Sequence, residues 1–247
     1  LHDALPISMK KVFSFFLAAV LSVTVLNAQT VDEILNNYFE NVGGLEKWKA
    51  MESMKMIGKA PSPQGDFPVT VYSKKPNKVK VVVDIQGKEL IPQAFDGEVA
   101  WGFNPMAGGT TAQKLPAEAT KAISNDADFE PEYINYADKG HEITLEEGTE
   151  EIDGVECFKL KIVKNKNNDK DETTKYHFFD TENFVPIMYR ETIQEGPAKG
   201  TITETYLSDY QETEYGIIMP YDIETRIGGQ VGQKIIIEKV EINGDMA

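Results

Sequence analysis

Between Val69 and Pro105 apolar and polar residues alternate in short bursts separated by turn residues. Val69 and Val71 alternate with Thr70 and Tyr72; after the corner Lys74-Lys75-Pro76-Asn77, the residues Val79, Val81, Val83 and Ile85 alternate with Lys78, Lys80, Val82 and Asp84. A period of two puts successive side chains on opposite faces, so the segment predicts strands with one apolar and one largely charged face. Gln86-Gly87 marks the next turn, and Asp96-Gly97 predicts a two-residue hairpin turn, which needs positive φ. Val99, Trp101 and Phe103 then line one face of a fourth strand. A sheet wet on one side and apolar on the other needs something to cover the apolar side.

The period lengthens towards the N-terminus. Thr30 with Glu33 predicts a capping box, and Val31, Ile34, Leu35, Tyr38, Phe39 and Val42 fall in one stripe at helical spacing that Gly43-Gly44 ends. Leu45 to Ala50, with Trp48, adds a short further turn before a strand over Met54 to Lys59. Between Met106 and Gly140 the strand pattern stops. Gly108-Gly109 reads as a hinge, Pro116 opens a helix carried by Ala117, Ala119, Ala122 and Ile123 to about Asp126, and Phe129, Tyr133, Ile134 and Tyr136 predict a second short helix.

Strands then return. Phe158, Leu160 and Ile162 alternate with lysines after Asp153-Gly154, and Tyr176 to Phe179 pairs with Val185 to Glu191 across Asp180 to Asn183. Thr201 to Leu207 faces Met219 to Arg226, and Lys234 to Ile242 is the last strand, after a hairpin at Gly228-Gly229. The sum is a mainly β (α+β) chain of about 11–12 strands in a single domain, residues 29–247, interrupted by one helical insertion at about 106–140.

Met9-Lys10-Lys11, an apolar run from Val12 to Val23 and Leu26-Asn27-Ala28 before Gln29 have the layout of a secretory signal over residues 9–28. Leu1 to Ser8 stand before the natural start and read as a foreign leader. Gln29, not Cys, follows the cleavage position, so an exported, non-acylated, soluble protein is expected. Cys157 is the only cysteine and lies in a strand, which excludes an internal disulfide. A net charge of −15 argues against nucleic acid and anionic membrane surfaces as partners.

The order Lys74-Lys75-Pro76-Asn77, strand, Asp96-Gly97, then a Trp101 strand ending in Asn104-Pro105 resembles the core of the periplasmic outer-membrane lipoprotein carriers, the LolA-like family. The resemblance implies an incomplete antiparallel β-barrel wrapping the N-terminal helix, closed by a helical lid, in a monomer that holds lipoprotein acyl chains or other lipids in an apolar cavity. It also implies an inner-membrane release complex and an outer-membrane acceptor as partners in the periplasm. Ile34, Phe39, Val79, Val81, Val83, Trp101 and Phe103 are the expected cavity residues, and Ile123, Phe129 and Tyr133 the expected lid residues. Family members carry an arginine that latches the lid at the position of Lys75; lysine donates a hydrogen bond but lacks the planar fork.

Motifs for catalysis and cofactors are missing. His141 and His177 are solitary, with no zinc-ligand spacing, and read as strand or solvated histidines. Gly228-Gly229-Gln230-Val231-Gly232 lacks the dinucleotide spacing, and the oxygen-rich run Asn167 to Glu172 lacks the order of a calcium loop. The chain therefore reads as a binding protein, with no catalytic residue, metal or cofactor expected. The competing class is a sensing module of the same fold, and the discriminating feature is whether the interior is hollow or filled.

Overall fold

The computed structural model describes residues 29–103, 111–165, 172–194 and 198–244. The signal-like stretch and the foreign leader, Asn104-Pro105, the Gly108-Gly109 hinge and Asn167 to Asp171 lie outside the described residues.

Helix α1 (Val31–Asn41) begins where the sequence predicts. Thr30 Oγ1 accepts from the Glu33 N–H at 3.2 Å and Glu33 Oε2 accepts from the Thr30 N–H at 2.9 Å, which satisfies two otherwise orphaned donors. Helix α2 (Leu45–Ala50) follows after Gly43. At φ +101° a Cβ on Gly43 would stand 2.3 Å from the Gly216 carbonyl oxygen, so only glycine lets the helix end approach that distant loop.

Among the described residues, thirteen strands form one antiparallel sheet: β1 (Ser53–Ala60), β2 (Phe67–Lys74), β3 (Lys78–Ile85), β4 (Lys88–Phe95), β5 (Ala100–Gly102), β6 (Gln113–Lys114), β7 (Glu142–Ile152), β8 (Val155–Lys164), β9 (Thr173–Asp180), β10 (Pro186–Thr192), β11 (Ile202–Glu212), β12 (Ile218–Ile227) and β13 (Gln230–Ile242). The order is β6-β5-β4-β3-β2-β1-β13-β12-β11-β10-β9-β8-β7. Every neighbour is a sequence neighbour except β1 and β13, whose pairing joins the two ends of the domain. The sheet stays open between β6 and β7, and the chain that connects them carries helix α3 (Ala117–Asp126). The opening of the half-barrel is thus spanned by a single connection, and both helical regions lie on one face of the sheet, the inner face.

α1 packs on the inner face of β7–β9: Ile34, Leu35, Tyr38 and Phe39 meet Ile143, Leu160, Ile162 and Phe179 in the main core. A second inner cluster, Met219, Tyr221, Ile237 and Val240, is flanked by Met54 and Met56. The outer face has a small cluster of its own, where Cys157 is buried with Ile152, Phe178 and Met188; burial pushes its thiol up to about 11, the inert state of a packed cysteine.

Two local expectations are corrected. Residues 132–140 are successive turns, not a helix: Asn135 takes φ +51°, and the bonds Lys139 N–H to Asn135 O and His141 N–H to Tyr136 O change register within one turn. Asp96-Gly97 is not a two-residue turn. The carboxylate of Asp96 accepts from the Glu98 and Val99 N–H groups at 2.9 and 2.8 Å, which builds a four-residue loop between the paired residues Phe95 and Ala100.

Candidate functional site

The connection that spans the opening crosses the inner face in two stages. α3 lies over β4 and β5, where Phe95, Ala100 and Ala127 gather Val79, Leu115 and Ile123 around them, yet none of its own residues is buried. The turns after it pass under α1, where Tyr133 and Ile134 join the main core. Between these turns, the α2 end and the inner faces of β9–β12 lies a cavity of about 350 Å³. Of three further hollows, those of about 440 and 490 Å³ adjoin the cavity beside α3 and share Asp128 and Lys164, or Asp126, Lys175 and Glu191, with it, and one of about 360 Å³ lies on the outer face around Tyr206.

The cavity has two chemically different walls. Tyr38, Trp48, Met51, Met54, Phe129, Ile218 and Met219 make one apolar side. Lys164, Lys175, His177 and Glu191 from β8–β10, with Asp126, Asp128 and Glu132 from the spanning segment, make the other. Lys164 and Lys175 both bind this segment. Lys164 donates to the Asn125 carbonyl at 2.5 Å, close to the end of α3 where positive charge is favoured, and lies 3.5 Å from Glu132. Lys175 donates to Asp126 at 2.6 Å and lies 3.5 Å from Glu191. Burial opposes the Lys175 charge, but Asp126, Glu132 and Glu191 outweigh it and raise the ammonium above its ordinary range.

His177, 2% exposed, stacks on Tyr189 at 3.9 Å and meets the Tyr133 hydroxyl through Nδ1 at 2.5 Å. Its Nε2 makes no hydrogen bond; Glu132 Oε2 stands 3.3 Å away in poor alignment. A carboxylate there favours the proton on Nε2, so the Tyr133 hydroxyl donates to Nδ1. Burial brings the imidazole down to about 4, leaving it neutral over the physiological range. Burial also opposes the charge of Glu132, while His177, Lys175 and Lys164 together hold its carboxyl below the ordinary range. Tyr38, Tyr133, Tyr189 and Tyr210 are raised by burial and stay protonated.

The corner before β3 grips the same segment from the other side. Lys75 Nζ donates to the Lys49 carbonyl at 2.6 Å and stands 3.2 Å from Glu130, which is also 3.2 Å from Lys139. The Phe129 N–H donates to the Pro76 carbonyl at 3.0 Å. Lys75 thus touches α2 and the spanning segment together.

The expected site residues divide. Phe129 and Tyr133 line the cavity, and Ile123 and Val79 pack together beneath α3. Val81 and Val83 are half-buried on the inner face, paired with Val71 and Val69, beside the cavity rather than in its wall. Ile34, 0% exposed, and Phe39 do not face a hollow; they fill the packed core between α1 and β7–β9. Trp101 is also corrected. It is 41% exposed and pairs with Ala94 in a row that continues through Lys80, Tyr72 and Lys55, the outer face, because the inner position belongs to Ala100 opposite Phe95. Phe103 lies half-buried past the last paired residue of β5. The polar wall was missed, although a signal exists: Lys164 and Lys175 continue the inward parities of Leu160–Ile162 and His177–Phe179, where an apolar residue is the ordinary choice.

No protein-family model matches the sequence, and no curated protein sequence is significantly similar to it. Solved structures are similar in shape. A LolA superfamily protein of Nitrosomonas europaea superposes with a TM-score of 0.54 at 12% identity, over 87% of this chain and 94% of that one. A putative outer membrane lipoprotein-sorting protein domain of Vibrio parahaemolyticus gives 0.54 at 9% identity, over 87% and 93%. A DUF1329 family protein of Desulfovibrio piger gives 0.56 at 10% identity, over 89% and 95%. At such identities the likeness is one of architecture. With thirteen antiparallel strands in one open sheet, a capped helix packed inside and a helical connection across the gap, this chain has the LolA-like fold.

Proposed function

We propose that the protein binds acyl chains of lipoproteins or related lipids in the cavity under the spanning segment, as a non-catalytic carrier of the periplasm that passes them towards the outer membrane. The observation that carries this reading is a hollow of about 350 Å³ inside an open sheet, apolar on one side and roofed by a segment that Lys75 and Lys175 hold through polar contacts at its edges. Each methylene removed from water gains about 0.8 kcal/mol, so an acyl chain crossing an aqueous space needs such a shelter. The ion pairs of Lys75 with Glu130 and of Lys175 with Asp126 are partly open to solvent, so water can replace them where the roof lifts. Similarity of fold to a putative lipoprotein-sorting domain supports the reading. No helix among the described residues is long and apolar enough to cross a membrane, which agrees with a carrier between membranes. An inner-membrane release complex and an outer-membrane acceptor belong to the same proposal, with Lys75 as the latch of the roof.

Protein purified without detergent is expected to release lipid on organic extraction, and to take up the uncharged apolar dye N-phenyl-1-naphthylamine with a rise in fluorescence. Absence of both lipid and uptake would refute the binding reading. The packed α1 side favours a second reading, a sensor that admits only part of a chain, since the cavity lies at the small end of ligand sites. Movement of a labelled acylated peptide between two vesicle populations separates them: a carrier accelerates it in proportion to its concentration, and a sensor does not.

A further inference from the structure

We infer that the cavity selects amphiphiles by head group, taking a cationic amine in preference to an uncharged head and disfavouring a carboxylate; this rests on the binding reading above. The argument starts from what a head group would meet. Six aromatic rings face the cavity: Tyr38, Trp48, Phe129, Tyr133, Tyr189 and Tyr210. Aromatic faces attract cations, and all the more where water is excluded. The formal charge around them is negative, with five carboxylates against Lys164 and Lys175.

The charge of both lysines is already matched by carboxylates. Lys164 is committed to the Asn125 carbonyl and the Glu132 side, and Lys175 to Asp126 and Glu191. An incoming carboxylate would have to displace a carboxylate already in place and lose its own hydration in doing so. Acceptors, in contrast, are spare. Glu132 is 18% exposed and, among the described residues, has no contact with a cation or donor closer than the 3.3 Å to His177 Nε2 and the 3.5 Å to Lys164 Nζ. Its carboxylate is thus under-satisfied, and an ammonium placed there would give it a close charge-assisted donor.

The test is displacement of N-phenyl-1-naphthylamine by three probes of equal chain length, dodecylammonium, dodecanol and dodecanoate, at pH 8 and below their micelle concentrations. The expected order is ammonium tightest and carboxylate weakest, with about a tenfold gap between these two. Glu132→Gln and Glu191→Gln, each checked for native near-ultraviolet circular dichroism, should both narrow the gap, while Glu46→Gln, at an exposed position of α2, leaves it unchanged. If Glu132→Gln does not fold, Glu191→Gln carries the test. Equal affinities, a preference for dodecanoate, or a gap untouched by the cavity variants would overturn the inference while leaving lipid binding standing. Failure of all three probes to displace a dye that does bind would overturn the inference, as would failure of the dye itself, and the binding reading falls as well if no lipid is extracted.

Discussion

The inner face carries two helices held by opposite physics. On the β7–β9 side α1 is sealed: its stripe is buried against Ile143, Leu160, Ile162 and Phe179, and its rings pack edge to face with Tyr133 and Phe179. On the β4–β5 side α3 buries none of its residues and is fixed mainly at its ends, by Lys164 and Lys175 at the C-terminus and by Lys75 and Pro76 on the turns beyond. Apolar burial is lost only on unfolding, whereas ion pairs open to solvent are screened by salt and exchange readily. The first region is scaffold; on the proposed function the second is the part that moves.

The sharpest way to break this contrast is truncation on each side. Ile34→Ala leaves a cavity in a close-packed core and is expected to cost about 2–5 kcal/mol in urea unfolding. Ile123→Ala, at a half-buried position on α3, is expected to cost about 1 kcal/mol or less. Equal costs at the two positions would mean that α3 is as much a part of the core as α1.

The pH dependence comes next in size. A histidine whose folded pKa is depressed takes up its proton more readily when unfolded, so its contribution is complete above about pH 6.5 and is lost as the pH falls towards about 4. At His177 burial acts most strongly; Glu132 opposes it without cancelling it, and Lys175 and Lys164 reinforce it. Stability of the wild type should therefore fall by up to about 1.4 kcal/mol per pH unit in that window from this residue. His141, likewise lowered by burial, adds a slope common to both proteins, so the difference between wild type and His177→Gln isolates His177. Superimposable profiles would show that His177 titrates normally and that the polar wall is wet.

Much of the scaffold was legible in the sequence because it obeys local rules. The capping box, the stripe of α1, the Gly228-Gly229 hairpin and the alternation in β2 and β3 each depend on residues within one turn or one strand of each other. The spanning region follows long-range rules instead. The turns after α3 look helical by their spacing of Phe129, Tyr133 and Tyr136, but those rings are aimed by docking on α1, and Asn135 breaks the register. The contact between Tyr133 and His177 joins residues 44 apart, so neither announces the other. Trp101 was placed on the wrong face because its strand pairs over only two residues, too few for alternation to fix a side, and because Ala100 and Gly102 rather than large side chains point inwards.

A smaller effect concerns the latch. Lys75→Met removes the hydrogen bond to the Lys49 carbonyl and the contact with Glu130, which keeps Lys139 as a partner. Global stability is expected to change by about 1 kcal/mol or less. Amide hydrogen exchange in residues 117–140 should nevertheless quicken while that of α1 stays as it was, because local opening can proceed without global unfolding. Exchange that quickens equally in both helices would mean the two regions open as one unit.

The smallest effect is expected at Trp101, and it bears on which face of the sheet does the binding. Its ring stands on the outer row with Lys80 and Tyr72, on the opposite face from the cavity and with β4, β3 and β2 between it and Met54 of the cavity wall. Trp101→Ala should shift unfolding by about 1 kcal/mol or less and leave uptake of N-phenyl-1-naphthylamine unchanged. Phe129→Ala, one ring removed from the cavity, should weaken uptake several-fold at a similar cost in stability, since binding loses an apolar surface that the folded core barely uses. Loss of uptake in Trp101→Ala with Phe129→Ala unaffected would move the binding surface to the outer face and reverse the assignment of scaffold and site.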